Sequence, residues 1–147
     1  MIKLQKAQSK DVAFLVDLHK ETIGSSWNEE DLCDAIQKSD KNVYLITEDD
    51  SSVGYIMVDV LSPEAEIINI AVMSEKQARK IGSFALDILM KELLVQGIES
   101  VFLEVRENSK AVNFYKNHNF EVIGLRRQYY SNGENALRMQ RKLGDFQ

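Results

Sequence analysis

Apolar positions change period several times along the chain, and the changes mark out its elements. Residues 2 to 6 alternate and predict a short first strand. Ser9 is placed as an N-cap, followed by Val12, Leu15, Val16 and Leu18 at helical spacing to about Ile23. Asn28 with Glu29, Glu30 and Asp31 reads as a capped, acid-rich first turn, opening a shorter helix to about Ser39. Three strand-like runs come next, Val43 to Thr47, Val53 to Leu61 and Glu66 to Val72. Turn residues separate them, which predicts an antiparallel meander.

From Gly82 to Gln96 the period is helical again. Ile81, Ala85, Ile88, Leu89 and Leu93 form one stripe, and Gly97 is the stop. This helix is apolar around much of its girth and is expected to be well buried. Ser100 to Val105 predicts a strand, Ser109 to Asn117 a short helix and Phe120 to Tyr130 another strand. Asn132-Gly133 then predicts a hairpin into Ala136 to Leu143. The order is βααβββαβαββ, an α/β chain with a mixed, mostly antiparallel sheet flanked by helices. With 147 residues and a single proline, residues 1–147 are expected to form one domain.

Charge and cysteine content narrow the function classes. The formal net charge of −5 has the wrong sign for a protein that grips nucleic acid with its whole surface. It is unevenly spread, with 10 Lys and Arg against 18 Asp and Glu up to residue 100, and 8 against 5 beyond it. The single cysteine, Cys33, cannot form an internal disulfide and is expected to be a small buried residue. With no apolar leader-like stretch at residues 1–6 and no run long enough to span a bilayer, the expectation is a cytoplasmic protein without membrane contact. His19 and His118 have no partners at metal-ligand spacing, so no metal is expected and both are read as surface or helix-end residues.

Candidate chemistry concentrates after the strand Ile67-Ile68-Asn69-Ile70-Ala71-Val72. A loop from Met73 to Lys80 feeds a helix opening near Ile81-Gly82. Backbone N–H groups at such an opening suit a phosphate, and Arg79 and Lys80 add two cations. Taken alone, the pattern is equally a plain strand-to-helix connection.

That loop, Gln77-Ala78-Arg79-Lys80-Ile81-Gly82, occurs with Leu103-Glu104-Val105-Arg106 and Asn108-Ser109-Lys110-Ala111-Val112-Asn113-Phe114-Tyr115. In this combination the chain resembles the GNAT N-acetyltransferase superfamily, over nearly its whole length. Within it, Trp27 and the run Arg127-Gln128-Tyr129-Tyr130 with Gly133 and Ala136-Leu137-Arg138-Met139 are similar to the RimI type, which acetylates the N-terminal alanine of a small-subunit ribosomal protein.

The resemblance implies the GNAT fold and transfer of an acetyl group from acetyl-CoA to an amine, most specifically a protein N-terminus. It implies Glu104 as general base and Tyr115 as general acid. Ile70, Ala71 and Val72 would hold the thioester carbonyl through backbone N–H groups. Gln77, Ala78, Arg79, Lys80, Ile81, Gly82, Ser83 and Asn108 would hold the rest of the coenzyme, and Trp27, Tyr129 and Tyr130 would contact the acceptor.

A single glutamate is adequate for an α-amine, whose ordinary pKa of about 7.7–8.0 lies well below the roughly 10.4 of lysine. The acids at Glu29, Glu30, Asp31 and Asp34 are either a solvated helix face or an attraction for a basic peptide. Lys80 stands where the family has its first glycine, a position that matters if the backbone takes positive φ. Asn119 likewise replaces a frequent glycine and tolerates that conformation. Two other readings stay open: an acetyltransferase of small amines, amino acids or lysine side chains, and a GNAT-fold interaction module that binds coenzyme weakly or not at all.

Overall fold

The structure is a computed structural model. It describes residues 1–22, 30, 34, 36, 41–74, 76, 80–130 and 132–145. Most of the second predicted helix, with Trp27 and Cys33, lies outside the described residues, as do Gln77, Ala78 and Arg79; Glu30, Asp34 and Ile36 within it are helical.

Seven strands form one sheet: β1 (Ile2–Lys6), β2 (Lys41–Glu48), β3 (Ser51–Leu61), β4 (Glu64–Val72), β5 (Ser100–Arg106), β6 (Glu121–Arg126) and β7 (Ala136–Lys142). Their spatial order is β1-β2-β3-β4-β5-β7-β6, with every neighbouring pair antiparallel except β4–β5. Among the elements described end to end are the helices α1 (Val12–Thr22), α2 (Ile81–Val95) and α3 (Ala111–Asn117). The predicted mixed α/β architecture is therefore present. No helix among the described residues is long and apolar enough to cross a membrane.

Alternation along the strands sorts side chains into two cores. Tyr44 and Ile46 point to the face covered by α2, with Ile56, Val58, Ile67, Leu86, Leu89 and Leu93. Val43 and Leu45 point the other way, with Leu15 and Leu18 of α1 and with Tyr55 and Met57. The larger cluster also takes Val101, Leu103, Val105 and Met139, so one continuous core joins α2 to side chains of both β4 and β5.

Several local expectations need correction. Gln8, not Ser9, caps the first helical segment; its backbone N–H donates to Asp11 Oδ2 at 2.8 Å, and residues Ser9–Asp11 wind as a 3-10 turn before α1. A carboxylate three residues on supplies this bond better than a serine already inside the turn. His19 is no surface residue: it is 1% exposed and lies 2.7 Å from the Tyr55 hydroxyl through Nδ1. The girth of α2 is not wholly covered, since Phe84, Leu94 and Val95 face solvent. The predicted strand to Tyr130 ends at Arg126, which pairs with Ala136, so the predicted hairpin into Ala136 is present but its connection is longer than expected, spanning positions 127 to 135 with Asn132-Gly133 inside it.

Where tight turns do occur, the chain uses residues that accept positive φ. Asp49 and Asp50 (φ 49° and 72°) form the two-residue link between Glu48 and Ser51, Asn119 (φ 66°) ends α3, and Gly97 (φ 87°) ends α2.

Candidate active site

The site begins with an irregularity in β4. Met57 pairs with Asn69 but Val58 with Ile67, so Ile68 is an extra residue, a β-bulge. The bulge sends Ile68 and Asn69 to the same side of the sheet, because Asn69 sits opposite Met57 on the α1 face. It also coincides with the last parallel pair between β4 and β5, Ile67 with Leu103. Beyond that rung the two strands are no longer paired with each other, and a cleft of about 510 Å³ opens there. Alternate residues of β4 past the bulge aim backbone N–H groups toward the β5 side; the predicted run Ile70, Ala71 and Val72 follows directly, while the cleft lining from β4 is Glu66 to Asn69. Side-chain chemistry is therefore not needed for that role.

Glu104 lines the cleft from the other wall. On β5, Val101, Leu103 and Val105 turn into the α2 core, so Phe102, Glu104 and Arg106 face the α1 side. Glu104 is 14% exposed and meets two guanidinium groups. Arg126 Nε lies 3.0 Å from Oε2, without being aimed at it in hydrogen-bond geometry, and Arg138 Nη1 lies 3.9 Å from Oε1. Arg138 comes from the residue directly across the β5–β7 ladder and also reaches Glu66 Oε1 at 3.7 Å.

Tyr129 and Tyr130 line the same cleft from the 127–135 loop rather than from a strand. Their rings meet edge to face at 5.2 Å; Arg106 stacks over Tyr130 at 4.5 Å and Arg126 over Tyr129 at 5.4 Å. The loop is fixed internally by bonds from Gln128 N–H to Asn135 Oδ1 (2.9 Å) and from Tyr130 N–H to the Glu134 carbonyl (3.2 Å). Glu107 N–H ties it to β5 by donating to the Asn135 carbonyl at 3.0 Å. Burial pushes the Tyr130 phenol above its usual range, more than the charges around it.

Tyr115 does not line the cleft. It is 7% exposed in the large core, with Phe114 at 5.2 Å and Phe120 at 5.7 Å, both edge to face. Desolvation pushes its phenol up to about 12, so it stays protonated, as a proton donor must. A consequence is measurable. The folded state holds this proton more tightly than the unfolded chain, so the stabilisation is complete below pH 10 and declines between pH 10 and about 12. Tyr115→Phe should remove on the order of 2 kcal/mol of that alkaline decline, read from urea midpoints across this range. A decline equally steep in the variant would show that Tyr115 is not its source.

The predicted coenzyme elements converge beside the cleft. A Cβ placed on Gly82 would sit 3.7 Å from Phe114 and 3.9 Å from Val72, so the end of β4, the start of α2 and the middle of α3 are in contact. No described side chain caps the α2 N-terminus. Ser83 Oγ is instead 2.9 Å from His118 Nε2, and His118 Nδ1 is 3.1 Å from Asp87 Oδ1. A carboxylate only accepts, so Nδ1–H donates to Asp87, which leaves Nε2 facing the Ser83 hydroxyl. Asn108 is exposed on the turn after β5, away from the cleft lining.

Lys80 adopts φ 60°, ψ 23° immediately before α2, the conformation that a glycine takes freely. Lys80→Gly should raise stability by about 1 kcal/mol, whereas Lys80→Ala, which removes the charge and keeps the Cβ, should not. Chemical denaturation of the two variants checks this; equal stabilities would remove the strain argument. Among the described residues no cluster of three His, Cys, Asp or Glu side chains could hold a metal ion.

Two strands thus part at a bulge, with a carboxylate on one wall and a helix opening against the end of the other. Residues 12–120 match the sequence model of the Acetyltransferase (GNAT) family, and the chain belongs to that family. Its relatives are more particular. It is 35% identical over 86 residues to the [Ribosomal protein bS18]-alanine N-acetyltransferase of Salmonella typhimurium, a match spanning 58% of each chain. An N-alpha-acetyltransferase of Sulfurisphaera tokodaii is 26% identical over 151 residues, covering 93% of this chain and 90% of that one. The fold is that of the ribosomal-protein-S18-alanine N-acetyltransferase from Escherichia coli, with a TM-score of 0.87 at 24% identity, over 97% of this chain and 94% of the other.

Arg126, Arg138, Glu66 and Asn69 were not among the residues the sequence singled out for roles. Only the strand register brings them to Glu104, and register has no local signature.

Proposed function

We propose that the protein is an acetyl-CoA-dependent N-acetyltransferase acting on the α-amine of a protein N-terminus. The carrying observation is the cleft at the β4–β5 divergence, which brings Glu104 and the tyrosine pair to the wall opposite the open β4 edge. The names of the Salmonella and Sulfurisphaera relatives, the first specifying an alanine of a ribosomal protein and the second an N-alpha acetylation, support the same acceptor class.

The residues present fit the coenzyme: an α2 N-terminus with no described side-chain cap, Lys80 turned outward before it, and β4 N–H groups facing the β5 side. Acetyl-CoA supplies an activated acetyl thioester. Ile70, Ala71 and Val72 hold the carbonyl oxygen through backbone donors, where charge develops. Ile81, Gly82 and Ser83 receive the phosphates at the positive end of α2. Glu104 accepts the amine proton, and the two guanidinium groups beside it orient the carboxylate. Tyr115 supplies a proton from its buried phenol, reaching the reaction from the coenzyme side of α3. Tyr129 and Tyr130 pack the acceptor backbone.

Purified protein incubated with acetyl-CoA and an alanine-starting peptide should release free thiol and yield a peptide 42 Da heavier, about one acetyl group. Turnover of polyamines with none of peptides would instead favour a small-amine acceptor. Absence of acetyl-CoA binding by calorimetry would leave only an interaction module.

A further inference from the structure

The carboxylates beside the cleft already have cationic neighbours. Three guanidinium groups, Arg106, Arg126 and Arg138, surround two carboxylates, Glu66 and Glu104. Arg138 lies between both carboxylates, and Arg106 is stacked on Tyr130. Arg126 differs from both. It projects from the edge strand β6, is 53% exposed, and makes no hydrogen bond among the described residues; its contacts are the misaligned approach to Glu104 and the Tyr129 ring. Its five N–H donors are thus held in place by an aromatic face without being used, a preorganised fork of the kind that suits a carboxylate.

An ammonium reaching Glu104 competes with this guanidinium for the carboxylate. An acceptor that brings its own carboxylate beside the amine offsets this cost, with the amine on Glu104 and the carboxylate on Arg126. We infer that Arg126 is a specificity-determining residue that selects acceptors carrying a carboxylate next to the reacting amine, as at a protein N-terminus that begins with an acidic residue. The inference rests on the acetylation of an amine proposed above and narrows its substrate class. A free amino acid presents the same chemistry through its α-carboxylate.

The test uses the intact protein, acetyl-CoA and three peptides that differ only in their first residue, Glu, Gln or Lys, together with free glutamate. The Glu peptide should exceed the Gln peptide in kcat/KM by about tenfold. Arg126→Gln should bring that ratio close to one, Arg126→Lys should restore part of it, and Arg126→Glu should shift preference to the Lys peptide. Because each ratio is internal to one variant, a general loss of activity does not mimic it. Greater turnover of free glutamate, with the same dependence on Arg126, would assign the carboxylate to an amino acid and sustain the inference. Equal rates for all three peptides, a wild-type preference for Lys, or a Glu preference that survives in Arg126→Gln would overturn it while leaving N-terminal acetylation standing. No acetylation of any acceptor would overturn both.

Discussion

Glu104→Gln is expected to lower kcat for peptide acetylation by roughly 10²- to 10⁴-fold, the range for removal of a general base. Glutamine keeps the shape and can still meet Arg126 and Arg138, but it cannot take a proton. Both arginines retain access to water, so folding stability should move by no more than about 1 kcal/mol. Steady-state rates at saturating acetyl-CoA, with urea midpoints alongside, separate the two effects. A variant that keeps its kcat would remove the proposed role, whatever its KM.

The second large effect is expected at a residue that touches no substrate. Gly54 on β3 pairs with Val72, and a Cβ there would come within 2.3 Å of the Ala71 carbonyl oxygen and 3.1 Å of the Val72 Cα. Both are backbone atoms, so relief requires β3 and β4 to move apart at the stretch that would hold the thioester. Gly54→Ala should therefore cost about 2–3 kcal/mol of stability and weaken acetyl-CoA binding. Denaturant titration and calorimetry would register the two losses together. A variant within 0.5 kcal/mol of the parent, at about the precision of such measurements, would show that the strands accommodate the methyl group.

Local pattern carried the sequence reading furthest where structure is local. The meander from β2 to β4, the stripe on α2 and its stop at Gly97 follow from period and turn chemistry. The left-handed residue at Lys80 was also legible, because the family places glycine there. What pattern does not encode is register. The alternation through Leu125 and Tyr129 looks like one strand, yet backbone bonds from Gln128 and Tyr130 to Asn135 and Glu134 turn it into a loop. The bulge at Ile68 sits in an unbroken apolar run that gives no hint of an extra residue. Arg138 reaches Glu104 only because residue 104 lies opposite residue 138. Glu104 and the tyrosines were accessible through resemblance, while their arginine partners required the assembled sheet.

The parallel seam between β4 and β5 consists of four residue pairs, Glu64 with Ser100 to Ile67 with Leu103. On one side lies an antiparallel block, β1 to β4, ending in the edge assigned to the acyl carbonyl. On the other lies a second block, β5 to β7, carrying Glu104, Arg126, Arg138 and, through its connecting loop, both cleft tyrosines. The two reacting partners are thereby assigned to different halves of the molecule. Their separation is set like the jaws of a caliper, by a short hinge of backbone rungs and by the one core that α2 shares with side chains of both arms. Leu89 and Leu93, far from any substrate, become alignment screws of the reaction as much as members of its core.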